Sequence, residues 1–354
     1  MPMIFDELSD AHVRDRVAQH GTTDLSDFLK RSSYPLAMVY RSFGAFSDDN
    51  PTVGGNLWPT SWTHRLREAG LIDAPETPDP TETSLLLRAH RLMHVGDMVR
   101  AQAYEMVADP HGLAYDDMDP MLQCATRMML GLLLTPSPIY DRAPGDLDAR
   151  CDVDDIDGLL AVIRSYPQFH RELTNLFAAS TLQHKYHYAA IDEPFGHGML
   201  RYHATYQPIE LVVALDESPL STALSTTISA VPTLLNHGQV CLGVADLQTR
   251  QVGANSPASQ AAKPTRAITP LMLSWAPPET EDWESLLARV QAHTAAGLAI
   301  IGAVRPPNLT TSGYLMLGPM RYRSFHEGEV PELHFALEKP MPTSLVSDWL
   351  SCGC

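Results

Sequence analysis

The period of the apolar residues changes once along this chain, and that change limits what it can fold into. Up to about residue 180, apolar side chains recur at helical spacing. Beyond it they come in short alternating or continuous runs, with one helical interruption. A helix buries a stripe and a strand buries a face, so helices first and mixed strands later predict an α+β fold. The expected organisation is a helix-rich part at 34–180 and a mixed part at 181–354. Together they would form a single compact core, with residues 1–33 as an N-terminal arm or packing helix.

Local signals fill in that outline. Ile4, Leu8, Val13 and Val17 follow helical spacing, His20-Gly21 breaks it, and Asp24 starts a second short helix. This segment either packs or docks on a neighbouring subunit. Aromatic and β-branched residues at 35–46 predict a strand. Residues 48–80 are rich in proline and turn residues around a short helix at Ser61–Ala69. A long helix is expected from Thr81-Glu82 to about Val107. Further helices are expected from Asp119-Pro120 to Leu134, at Asp152–Tyr166 and at Gln168–Ala179. Expected strands are Ile209–Leu215, Val240–Ala245, Ile268–Trp275, Leu298–Val304, Tyr314–Tyr322 and Leu333–Leu337, with a helix at Glu281–Thr294. The polar stretch Gln251–Pro264 reads as an exposed, flexible loop.

Composition excludes several classes. Apolar residues at 44% and charged residues at 19% fit a folded globular chain. The longest apolar runs fall far short of the roughly 18 residues a membrane span needs, so no membrane partner is expected. The acidic start lacks the basic and apolar regions of a secretory leader. Five scattered cysteines suit a reducing compartment, which predicts a cytosolic location. A net charge of −17 gives no global attraction for nucleic acid. Of 25 basic residues, only Lys30, Lys185, Lys263 and Lys339 are lysines. That bias has two compatible sources: a GC-rich genome, or use of arginine's planar five-donor fork on phosphates and bases.

Catalytic and metal signatures fail on spacing. His90 and His94 lie four apart on a helix, but Arg91, Leu92 and Met93 between them lack the glutamate of a zinc-protease motif. His184 and His187 lack a third ligand, and Cys352-Gly353-Cys354 is half a site. The run from Asp152 resembles a calcium loop, yet Asp157 stands where the glycine belongs and Ile163 where the glutamate belongs. It reads instead as an acidic helix start. No phosphate-binding glycine loop or nucleophile elbow occurs. The expectation is a non-enzymatic protein with no cofactor.

Mixtures of cations and rings are the positive signal. Arg65 and Arg67 neighbour Trp62 and His64. Arg88, Arg91 and Arg100 fall on expected helix, and Arg321 and Arg323 flank Tyr322. Single-stranded RNA is held by such surfaces, with cations on phosphates and rings on bases. Arg–Tyr pairs also occur as ordinary packing on sheets.

One stretch, residues 108–160, resembles a known family. It contains Asp109, His111-Gly112-Leu113, Tyr115, Met118-Asp119 and the Met/Gly/Leu helix Arg127–Leu134. Thr135, Pro138-Ile139-Tyr140, Arg142-Ala143-Pro144 and a second acidic run follow. Their order is similar to the central part of the sigma-NS family, the non-structural single-stranded-RNA-binding proteins of orthoreoviruses and their aquareovirus counterparts. Weaker similarity covers Ser32–Phe46 and Pro232–Leu247, and the Lys-poor composition favours the aquareovirus branch. The resemblance implies binding of single-stranded RNA with little sequence preference, self-association and ATP-independent RNA chaperoning. It also implies a factory-forming non-structural partner and a location in viral factories of the host cytoplasm. The basic N-terminal segment of the orthoreovirus members is missing, since Met1–Asp10 carries no cation. RNA contact is therefore expected at Arg65, Arg67, Arg88, Arg91, Arg321 and Arg323, with stacking on Trp62 and Tyr322. Met3, Ile4, Phe5 and Leu8 are expected to serve self-association. The alternative is a capsid or clamp-type subunit of a double-stranded RNA virus.

Overall fold

The computed structural model describes residues 10–32, 61–73, 79–93, 95, 97–135, 152–184, 193–196, 198–228, 233–246, 266–276, 282–305, 313–327, 331–343 and 345–346. Met3, Ile4, Phe5, Leu8, the expected strand at 35–46, the segment 136–151, the loop at 251–264 and the terminal cysteines lie outside them. The fold is α+β, as the change of period predicts. Instead of one core there are two compact units, Met1–Met118 with Leu132–Gln183, and Asp119–Gly131 with His184–Cys354.

The described part of the first unit is helical. Helices α1 (Asp10–His20) and α2 (Leu25–Ser32) are joined by Gly21, whose φ of +64° ends α1 where a side chain would be strained. Asp24 Oδ1 accepts from the Asp27 amide at 2.7 Å and caps α2. Val17, Leu25 and Phe28 are buried, and the Leu25 amide donates to Asn175 Oδ1. Residues 10–32 are therefore packing helices. Helix α3 (Trp62–Glu68) starts at a Ser61 cap. The expected long helix is two, α4 (Pro80–Leu92) and α5 (Met98–Ala108). Asp97 breaks it by accepting from the Arg100 amide, which restarts the helix on a new cap. Helix α6 (Pro120–Leu134) has proline at its first position and Asp119 as cap. The boundary between the units falls within it, at Gly131. Helix α7 (Ile156–Arg164) is capped by Asp155 onto the Gly158 amide, so the acidic run there is a helix start. Helix α8 (Pro167–His184) completes the unit.

In the second unit, β1 (Thr205–Tyr206) precedes α9 (Pro208–Leu215) and α10 (Leu220–Ser225). The run at Ile209–Leu215 was expected as a strand. It is a helix because Pro208 sits at the first position and Glu210 accepts from the Gln207 amide at 2.7 Å. A run buried all round has no period to read. Gly131 of α6 lies against α9, where an added Cβ would meet Ile209 Cγ1 at 3.0 Å.

The sheet follows, with strands β2 (Thr233–Leu235), β3 (Val240–Asp246), β4 (Arg266–Thr269), β5 (Met272–Trp275), β6 (Ala299–Arg305), β7 (Tyr314–His326) and β8 (Glu332–Leu337). The single strand expected at Ile268–Trp275 is a hairpin, since Thr269-Pro270 turns the chain. Helix α11 (Trp283–Ala295) lies between β5 and β6. The sheet order is β2-β3-β6-β7-β8-β5-β4, with β1 also on β7. Among the described strands only β3 and β6 pair in parallel, and their crossover carries the β4–β5 hairpin and α11. Leu286 and Val290 of α11 pack on Trp275, Ile300, Val304, Leu317 and Phe335 of one sheet face. Pairing of β7 with β6 ends at Met320, and beyond it β7 bonds only to β8 among the described residues. That overhang, Arg321–His326, carries the site considered next.

His203 backs the start of β7, donating its amide to the Met316 carbonyl at 2.8 Å. Its ring is buried, and burial lowers its pKa against a hydrogen bond to the Pro340 backbone that raises it. The unfolded chain therefore binds this proton more tightly. The contribution to stability is full above the ordinary histidine value of about 6.5 and is lost as pH falls through the folded value. Urea midpoints at pH 7.5 and 5.0 should differ more for the wild type than for His203→Asn, which tolerates the positive φ of 63°. Equal differences would show that His203 is not the group responsible.

Candidate nucleic-acid interface

The expected RNA-contacting arginines differ first in what already holds them. Arg65 is 1% exposed and donates to Glu68 Oε2 at 3.0 Å. Arg67 Nη2 donates to both oxygens of Glu82, at 3.1 and 3.3 Å, in a mostly buried pair. Arg88 is fully buried, and its Nη1 donates to the carbonyls of Leu133 and Thr135 at 2.9 and 2.6 Å. Trp62 is buried, and its Nε1 donates to the Thr23 carbonyl. The amides of Trp62 and Thr63, which open α3, donate to the buried carboxylate of Glu172 at 2.6 Å each. These residues were expected to meet RNA and instead hold the first unit together. The side chain of Arg91 lies outside the described residues, as do His94 and His187.

Arginine's fork accounts for much of this. A helix ends with carbonyls that lack partners, and a cation there also opposes the dipole. Arg88 serves the end of α6. Arg127 Nη2 serves the carbonyls of Asp216 and Ser218 just beyond α9. Arg164 serves Val107 at the end of α5 through Nε, and Leu113 through Nη1, both at 2.9 Å. Arg164 bridges two carbonyls from two nitrogens of its planar guanidinium, which an ammonium cannot copy, while Arg88 and Arg127 each bridge theirs from one.

Arg321 and Arg323 are different. The Arg321 side chain is 73% exposed and lies 3.6 Å from Glu338 Oε1, a surface pair worth at most about 1 kcal/mol. Arg323 is also exposed, at a bulge between Tyr322 and Ser324. Bulges of this kind re-aim side chains. Tyr322, expected to stack on bases, turns to the helix-covered face, where it is partly buried and packs edge-on against Phe335 at 6.2 Å.

The register shows which residues share the other face. Arg321 pairs with Ala336, Ser324 with His334, and His326 with Glu332. The three β8 partners alternate by two and so point one way, while Leu333, Phe335 and Leu337 join the core. Arg321, Ser324, His326 and His334 thus lie on one face. Ser324 Oγ is 3.3 Å from His334 Nδ1, and His334 Nε2 is 3.6 Å from the buried Glu332 carboxylate. The rings of His326 and His334 are parallel within 9°, centroids 6.4 Å apart. Sequence reasoning missed both histidines, because only the bulged register of β7 on β8 makes them neighbours.

The same Glu338 that neighbours Arg321 accepts from the Tyr202 hydroxyl at Oε2, at 3.1 Å. Burial, then that bond and the charges of Glu338 and Glu193, push the Tyr202 hydroxyl up to about 12. Among the described residues, no group of three or more His, Cys, Asp or Glu side chains is placed to hold a metal ion. No helix among them is long and apolar enough to cross a membrane. No protein-family model matches the chain, and no curated protein matches it.

Proposed function

We propose that this chain is a viral non-structural protein of the sigma-NS type that binds single-stranded RNA with little sequence preference. The observation that carries the site is the exposure of Arg321 and Arg323 on the β7 overhang, beside the exposed imidazole of His326 and the partly exposed one of His334. Cations track phosphates and flat rings take bases without a sequence code. The net charge of −17 does not forbid this, because charges beyond about 10 Å are screened at 0.1 M salt. The resemblance of residues 108–160 extends the reading to self-association and ATP-independent RNA chaperoning. It also supports a location in cytoplasmic viral factories beside a factory-forming non-structural partner.

Fluorescence anisotropy with an unstructured RNA across a salt series tests the reading. The logarithm of affinity should fall with the logarithm of salt by about 0.7 per neutralised phosphate. Arg321→Glu with Arg323→Glu should weaken binding at least tenfold and flatten the slope by about 0.7 for each lost contact. Unchanged affinity would move RNA off the overhang, and no binding at 50 mM salt would reject the function.

A further inference from the structure

We infer that His326 and His334 form a stacking site for a single unpaired nucleobase, next to the phosphate contact of Arg321. This rests on the RNA-binding reading and adds what is recognised beyond charge. Stacked aromatic planes in contact lie about 3.4 Å apart. Two parallel imidazoles with centroids 6.4 Å apart therefore do not overlap closely. The distance falls within the roughly 4.5–7 Å of an offset aromatic pair, an arrangement that leaves part of each ring face uncovered. A base stacks on the uncovered part. His334 meets Ser324 at hydrogen-bond distance through Nδ1, with Glu332 close to its other nitrogen, which favours one orientation of the ring. His326 is exposed, so the site is open to solvent.

Arg321 is one row away along the same face. Its partner Ala336 lies two residues from His334, a distance of about 6.7 Å along a strand. A base on the histidines would thus have its neighbouring phosphate near the guanidinium. Duplex RNA keeps its bases paired and stacked, so this site selects single strands by geometry. Tyr322 and Phe325 of this ribbon turn to the helix-covered face, where they are partly buried, so His326 and His334 are its rings on the face that carries Arg321.

The experiment uses the full chain and two oligoribonucleotides of equal length and charge. One carries a central 2-aminopurine; the other carries abasic sites at its centre. Stacking predicts quenching of the 2-aminopurine and binding five- to a hundredfold tighter than the abasic strand. His326→Ala with His334→Ala should abolish both the quenching and the preference, while abasic affinity stays. His326→Phe with His334→Phe should restore them, because flat rings rather than imidazole charge take the base; circular dichroism checks that both variants fold. Equal binding of the two strands by the wild type overturns the stacking site and leaves the RNA-binding reading standing. Binding of neither overturns both.

Discussion

Gly318→Ala should lower stability by about 3 kcal/mol, read as a fall in the urea midpoint. Two costs add. Gly318 has a φ of +82°, where an L side chain costs roughly 1–2 kcal/mol. Its new Cβ would also stand 2.3 Å from Cε1 of Tyr202, and overpacking of a filled site costs about 1–3 kcal/mol. The ring cannot easily step aside, because it is 3% exposed and its hydroxyl is tied to Glu338. A double-mutant cycle with Tyr202→Ala separates the two terms. The clash disappears when the ring is removed, so the effects should fall short of additive by the steric part. Full additivity would mean that only the backbone angle matters.

Arg88→Met should cost about 3 kcal/mol while leaving RNA affinity per folded molecule unchanged. Methionine fills most of the volume and removes the burden of a buried charge. It leaves the Leu133 and Thr135 carbonyls without their donor, at about 1–3 kcal/mol each. Arg88→Lys should fall between, since an ammonium keeps the charge and its donors but carries them on a different stem from the Nη1 that serves both carbonyls. A stable Arg88→Met protein with weakened RNA binding would reverse the assignment and return Arg88 to the RNA surface.

Ends of helices were readable where one residue type does one job. Asp24, Ser61 and the Asp119-Pro120 pair mark helix starts in the sequence and in the fold, whereas the helix expected from Asp152 starts three residues later on the Asp155 cap. The Asp97 cap was equally visible, but the apolar stripe running past it looked continuous. Ile209–Leu215 failed for the opposite reason: an element buried all round offers no stripe. The buried arginines also left a mark. Arg88 lies three residues after Leu85 and next to Ala89, and Arg65 lies three after Trp62 and next to Leu66. A cation at a stripe position is a cation facing inward, and that placement outweighs the ring beside it in sequence. Among the described side chains, only Arg321 and Arg323 of the expected arginines are exposed. The histidine pair needs strand register, set by the bulge, which no local pattern states.

The overhang of β7 has a second consequence, for aggregation. Arg321–His326 bonds to β8 on one side and presents its other backbone edge with no strand paired to it among the described residues. An open edge invites a strand from another molecule, and charged side chains with a bulge are the usual deterrents. Arg321, Arg323 and the bulge at Tyr322/Ser324 supply both. The charges offered to RNA also keep foreign strands away, so neutral replacements there risk clumping where charge-reversing ones do not. A titration that turns cloudy at one phosphate per arginine would report the loss of that guard.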